Sequence, residues 1–267
     1  MDSSRSSRRP HGGATRIRGA VLLTLAGSAL LLSAAPARAD VVTDWNAIAD
    51  ASSAQAGAPP QRARVVAMAQ IAVHDALNSI DARYESYATV PAANPGASSE
   101  AAVGQAAYTV LNALVPSAAL NTAHAAWEAG LPACPAAFPS CILDGKYAGE
   151  VAGNAILALR LGDGSATPHL PYTLAPAPGV YQRTPQPPSG ALGPPPQFAG
   201  WAALRPFVLR SGSQFRADPS ELFDLGSDAY TRDFAEVKRL GGLASSDRTA
   251  EQSEIARFWP AAGANGN

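Results

Sequence analysis

Lysine is almost missing from this chain: Lys146 and Lys238 are the only two in 267 residues. Histidine is scarce as well, with four, and there are two cysteines. These shortages exclude chemistry. No His-x-His, no His-Glu-x-x-His and no cysteine cluster occurs, so a transition-metal site has no ligand set at a familiar spacing. Gly-x-Ser-x-Gly is missing, which removes the nucleophile elbow of the serine hydrolases. No Gly-x-x-x-x-Gly-Lys-Ser/Thr occurs, so a phosphate-cradling loop is missing too. "RLGDGSATP", with Gly162, Asp163, Gly164 and Ser165, has the form of a helix terminus and turn.

The N-terminus is what the chain has in place of lysine. Arg5, Arg8, Arg9, Arg16 and Arg18 precede the 16-residue apolar run "AVLLTLAGSALLLSAA", and Ala-Arg-Ala ends at Ala39 in the small–x–small form of a signal-peptidase site. The run is shorter than the ~20 residues a spanning helix needs. Residues 1–39 are therefore expected to be an export signal rather than an anchor. The remainder is expected in the periplasm or outside the cell, with no stable membrane span. Without those residues 14 basic and 20 acidic side chains remain, a net charge of −6. A mildly acidic domain of this kind carries no electrostatic footprint for nucleic acid or anionic lipid.

Helical patterns dominate the rest. "DWNAIADA" predicts a short helix from about Asp44. After Pro59-Pro60, Val66, Ala69, Val73, Leu77 and Ile80 recur at helical spacing, and alanine between them allows close packing on several sides. "SEAAVGQAAYTVLNALV" predicts a helix capped by Ser99 and stopped by Pro116. Ser117 opens the next, "AALNTAHAAWEAGL". Asp144 is the expected cap of "GKYAGEVAGNAILALRL", which Gly162 ends. Short connections of this kind predict a helical bundle over residues 40–162. Between two of the helices lies "CPAAFPSC". In an oxidising compartment Cys134 and Cys141 are expected to form a disulfide that closes a small loop.

From Asp163 to about Ala217 the texture changes, with eleven prolines in 55 residues. Proline fixes φ and removes backbone donors, so neither helix nor central strand is expected. Tyr172, Tyr181, Phe198, Trp201, Phe207 and Phe215 are too many rings for a disordered linker. Residues 163–217 are expected to be an ordered extended arm, pinned to the helices by those rings. Helix returns over residues 218–267. Ser227 caps "SDAYTRDFAEVKRLGG", Thr249 and Gln252 form a capping box, and Ile255, Phe258 and Trp259 make one apolar stripe. The fold class is all-α: a helical bundle with a long proline-rich extended arm.

His74-Asp75, in the middle of an apolar helix, is the most conspicuous polar pair. Adjacent helical residues point about 100° apart and cannot converge on one ligand from one face. Both residues read as scaffold, with Asp75 expected to pair with Arg62, Arg64 or an arginine of the arm. His124 reads as an ordinary core or interface histidine, and His169, in the arm, as exposed. No catalytic, cofactor-binding or metal-ligating residue is assigned.

Six segments taken in order resemble one family. They are "DWNAIA", "RARVVAMAQIAVHDALNSIDARYESY", "ILALRLGDGS", "WAALRPFVLRSGSQF", "DFAEVKRLGG" and "RTAEQSEIARFW". Their order and spacing are similar to the N-terminal half of secreted bacterial proteins related to vanadium-dependent haloperoxidases, of the type-2 phosphatidic acid phosphatase superfamily. The resemblance spans about Asp44 to Trp259. It implies an all-α bundle and, in active members, a pocket for vanadate or phosphate, built from a lysine seven residues before Arg-Pro, a Pro-Ser-Gly-His, and a Ser-Arg followed by a histidine. There lysine and arginine neutralise an oxyanion, serine and glycine donate hydrogen bonds, and histidine bonds vanadium or attacks phosphorus.

The chain departs from that pattern. Arg205-Pro206 has Phe198 in place of the lysine, and Pro188-Ser189-Gly190 is followed by Ala191. Beyond His169 there is no Ser-Arg with a downstream histidine. The family's oxyanion segments come after the equivalent of "RTAEQSEIARFW". The catalytic half of the family fold is thus expected to be missing, which leaves a scaffold that binds no cofactor itself and is inactive alone. Vanadate belongs to the full-length family. The expected partner of the Ile255, Phe258 and Trp259 stripe is that missing half, or a second copy. The alternative is a complete, non-catalytic exported helical protein that binds a partner.

Overall fold

A computed structural model describes residues 40–177, 180–186, 189–193, 195–218, 220, 224–242 and 245–264. The segment expected to be an export signal, residues 1–39, lies outside them, as does Pro188.

Five helices build the bundle: α1 (Val41–Ser53), α2 (Pro59–Ile80), α3 (Ser99–Leu114), α4 (Ala118–Ala129) and α5 (Cys141–Leu159). Local chemistry sets their starts. The Asp40 carboxylate accepts from Thr43 N at 2.8 Å, so α1 begins three residues before Asp44. Proline occupies the first turn of α2, where its missing N–H costs nothing. Ser98, not Ser99, caps α3 by accepting from Ala101 N, and Ser117 caps α4. α5 starts at Cys141 rather than after Asp144. Asp144 lies inside its first turn and accepts from Ser140 Oγ and from Asn94 Nδ2, both at 2.8 Å. Cys134 and Cys141 are joined in a disulfide, with Cα atoms 5.6 Å apart.

α3 is the hub and packs against α1, α2, α4 and α5, while α2 packs against α1, α3 and α5. The core is built largely of alanine, with Trp45, Met68, Leu111, Leu120 and Ile156 as its largest apolar side chains. On α2 the buried apolar face is Val65, Met68, Ala69, Ala72, Val73 and Ala76. Val66, Leu77 and Ile80 only flank it. The face sits about one residue earlier than the periodicity suggested, because α2 is covered on several sides. The closest approach is between α3 and α5. A Cβ at Gly149 would overlap the Ala102 carbonyl oxygen and stand 2.8 Å from Ala106 N, so only glycine lets the two backbones meet.

Beyond α5 the described chain is irregular. It has one antiparallel pairing, Pro185–Gln186 with Ala191–Leu192, and a 3-10 turn at Ala199–Ala203. Most of its rings contact each other: Tyr172 stands edge-on to Tyr181, and Phe198 lies against His169 and Trp201. Among the described residues of this segment, Phe207 is the one that packs against the core, and Phe215 is exposed. Backbone and arginine contacts tie the segment down more than its rings do. Two helices follow, Asp228–Gly241 and Ala250–Ala264. Ser227 caps the first, and Thr249 and Gln252 form a reciprocal capping box at the second. The second continues through Trp259 to Ala264. Helix dominates the described residues, so the chain is all-α.

Candidate functional site

Two polar arrangements stand out on the bundle. The first grows from the central turns of α2. Asp75 points inward and is fully buried, while the His74 side chain, a hundred degrees round the helix, is 41% exposed. Among the described residues no arginine reaches Asp75. Its two oxygens accept from the backbone N–H groups of Tyr87 and Ala88, both at 2.8 Å. The expected arginine partners lie elsewhere: Arg62 donates to the Gly57 carbonyl and Arg64 to Asp163. A buried carboxylate next to a loop of unpaired amides is satisfied by those amides at less desolvation cost than by importing a cation.

Asn78, one turn further along, completes the clamp. Its carbonyl oxygen accepts from the N–H groups of Arg83 and Tyr84, and its amide donates to the Tyr84 carbonyl and Ser86 Oγ. His74 Nε2 lies 3.1 Å from the Glu85 carbonyl oxygen. A carbonyl only accepts, so Nε2 carries the proton of this hydrogen bond. The result is a fixed loop over residues 83–88 beside a cleft of about 320 Å³, lined by His74, Leu77, Asn78, Asp81, Arg83, Tyr84 and Ser99. Every polar group of Asn78 is spent on the loop, and Arg83 is paired with Asp81. Asp75→Ala is expected to lower the unfolding free energy by about 2–4 kcal/mol, because two backbone donors lose their partner in the interior. Urea denaturation of the two proteins measures it, and a loss below about 1 kcal/mol would show that water replaces the carboxylate.

The second arrangement is ionic. Asp163 Oδ2 accepts from Arg64 Nε and Arg160 Nε, each at 2.9 Å, and Oδ1 accepts from Ser165 N. Arg160 also donates to the carbonyls of Arg205 and Pro206 and lies over the Phe207 ring at 4.0 Å. The Arg205 guanidinium donates to the Leu159 carbonyl, and Arg205 N to the Asp163 carbonyl. Tyr87, held by Asp75, donates its hydroxyl to the Phe207 carbonyl at 2.7 Å. A continuous chain of contacts therefore runs from α2 and α5 to residues 205–207. Burial alone would raise the Asp163 carboxyl, but hydrogen bonds from Ser165 and Arg64 and the charge of Arg64 outweigh it and hold the group at about 2.

An oxyanion cage gathers cations and a histidine around one ligand. Three arginines meet here, and each donates to an internal carboxylate or to a backbone carbonyl. Among the described residues no histidine joins them. His74 bonds the Glu85 carbonyl, and His169 Nδ1 accepts from Gly200 N. His124 is stacked on Tyr108 at 3.7 Å and hydrogen-bonds Gln105; burial holds its imidazole below the usual value, against the pull of Glu128. Arg205-Pro206, which echoes the family motif, belongs to the strut between helix and arm. Among the described residues no three His, Cys, Asp or Glu side chains gather as a metal site, and no described helix is long and apolar enough to cross a membrane.

Reasoning from the sequence gave Arg64 the wrong acid, Asp75 in place of Asp163, and assigned no role to Asn78 or Arg160. Arg160 and Asp163 are three apart just past the end of α5, close enough in sequence to meet across the turn, so half of the strut carried a local signal. Arg64 lies 99 residues from its partner and carried none. No family model matches the chain, and comparison with curated proteins and with solved structures finds no match.

Proposed function

We propose that this chain is the N-terminal scaffold half of an exported protein related to the vanadium-dependent haloperoxidases and acid phosphatases. The oxyanion-binding segments would lie outside these 267 residues, and the chain would be inactive alone. The reading is supported by the six ordered segments and by the all-α bundle they form. The observation that carries it is the last helix. Ile255, Phe258 and Trp259 are between 52% and 70% exposed there, on one apolar stripe. Apolar faces of this kind mark surfaces that meet another surface. In this proposal the occupant is the set of helices bearing the lysine, arginine and histidine of the oxyanion pocket.

The gene tests the proposal. The sequence downstream of the Asn267 codon is expected to encode Lys…Arg-Pro followed by Pro-Ser-Gly-His, in frame or after one shift. Their absence from every frame ends the truncation reading and leaves an exported helical binding protein. Vanadate-dependent bromination or phosphate-ester hydrolysis by residues 40–267 would overturn the assignment of the chain as scaffold.

A further inference from the structure

The helix Asp228–Gly241 has a second uncovered face, independent of the Trp259 stripe. No residue of this helix is buried. Tyr230, Phe234 and Val237 are 36%, 57% and 70% exposed. At 100° per residue the three lie within about 60° of arc, and their spacing of four and then three is that of a coiled-coil seam. The helix is well defined at both ends. Ser227 caps its start, and at its end Arg248 donates to the carbonyls of Leu240 and Gly242 while Arg239 pairs with Asp247.

Charge identifies what this seam fits. Relative to Tyr230, Lys238 falls about 80° to one side and Asp233 about 60° to the other. Arg239 and Arg257 have ion-pair partners nearby, whereas Asp233 and Lys238 have none among the described residues. Consider a second copy of the helix laid along the seam. In an antiparallel pair related by a two-fold axis, each flank meets its own equivalent, so Asp233 and Glu236 would face the same acids. In a parallel pair the Lys238 flank of one copy meets the Asp233 flank of the other. The five residues between them correspond to a rise of about 7.5 Å, which an inclined lysine side chain spans. Both copies make the same contact, giving two ion pairs around one apolar seam.

We infer that the helix Asp228–Gly241 is a homodimerisation element that pairs in parallel with its counterpart in a second copy of this chain, through Tyr230, Phe234 and Val237 and reciprocal Asp233–Lys238 bridges. A helix of 14 residues buries a small area, so the dimer is of the weak, reversible class.

Sedimentation velocity of the full chain from about 5 to 500 μM covers that class. The expected result is a monomer–dimer equilibrium that weakens with added salt. Asp233→Lys is expected to weaken association roughly tenfold by replacing two attractive contacts with repulsive ones. The double exchange Asp233→Lys with Lys238→Asp is expected to restore it to within about threefold. Phe234→Asp is expected to remove the dimer. None of these side chains belongs to the buried core, so circular dichroism is expected to show unchanged helix content in all the variants. A monomer at every concentration overturns the inference. So does a dimer that survives Phe234→Asp, or an exchange variant that fails to recover. Trp259→Asp is expected to leave the equilibrium unchanged, and a dimer lost there instead would assign self-association to the other stripe. The inference stands whether or not the downstream gene encodes a catalytic half.

Discussion

Asp163→Ala is expected to destabilise the bundle by about 3–5 kcal/mol, the cost of leaving a buried charge without its partner. The Arg160 side chain is 1% exposed and that of Arg64 14%. With the carboxylate gone, two guanidiniums remain in the interior with only carbonyls and the Phe207 ring for company. Carbonyls satisfy hydrogen bonds and leave the charge uncompensated. Arg64→Ala is expected to cost less, because Asp163 keeps Arg160 and the N–H of Ser165. The order of the two losses, read from urea midpoints, is the test: if Arg64→Ala proves as damaging as Asp163→Ala, the carboxylate is not the centre of the cluster.

The same carboxylate fixes a pH dependence. Its folded value is about 2 against an ordinary 3.8, so the unfolded chain takes up the proton first as pH falls. The contribution is fully present above the unfolded value and is lost as pH falls through 4 towards about 2. A shift of this size is worth roughly 2.5 kcal/mol. The stability difference between wild type and Asp163→Asn is expected to be constant near neutrality and to shrink towards pH 2. A difference unchanged across that interval would mean that folding does not shift the Asp163 carboxyl.

How far such features could be read beforehand depends on their range in sequence. Ser117, Ser227 and the Thr249/Gln252 box act within four residues, and each was legible as a helix start. The start of α5 was not. Ser140 makes no side-chain capping bond, and Cys141 looked like the end of a loop rather than the first residue of a helix. The turn angle of a helix separated His74 from Asp75 in advance, whereas the partner of Asp75 could not be read from it. Its acceptors face Tyr87 and Ala88 across a loop whose path only the folded chain defines. The Arg64–Asp163 contact is the extreme case, since residues 99 apart meet only once α2 and α5 are packed. Ring count likewise misled on the arm. Six aromatics implied six anchors, but one proline-rich strand can satisfy its rings within itself, as Tyr172 and Tyr181 do.

One signal for the packing of α5 was in plain view. Gly145, Gly149 and Gly153 recur every fourth residue, which places three side-chain-free positions on one helix face. A Cβ at Gly145 would overlap the Ser98 carbonyl oxygen at the start of α3, and one at Gly153 would stand 2.7 Å from Thr109 Cβ. At Gly149, in the middle of the face, the obstacle is again backbone, at Ala102 and Ala106 of α3, which no rotamer change can relieve. Gly149→Ala therefore sets two effects against each other. Helix propensity favours alanine by about 1 kcal/mol. Overpacking against a rigid backbone costs about 1–3 kcal/mol, and more where the whole helix must move. Because α3 contacts four other helices, it cannot retreat from α5 without loosening the rest of the bundle. The second effect is expected to win, with a net loss of about 2 kcal/mol, and Gly149→Leu is expected to abolish cooperative unfolding. Gly241→Ala provides the contrast. The nearest heavy atom to a Cβ there is 3.7 Å away, so the same substitution is expected to leave stability unchanged or slightly raised. If Gly149→Ala stabilises the protein as propensity alone would have it, the helices are not in backbone contact and the hub described for α3 is wrong.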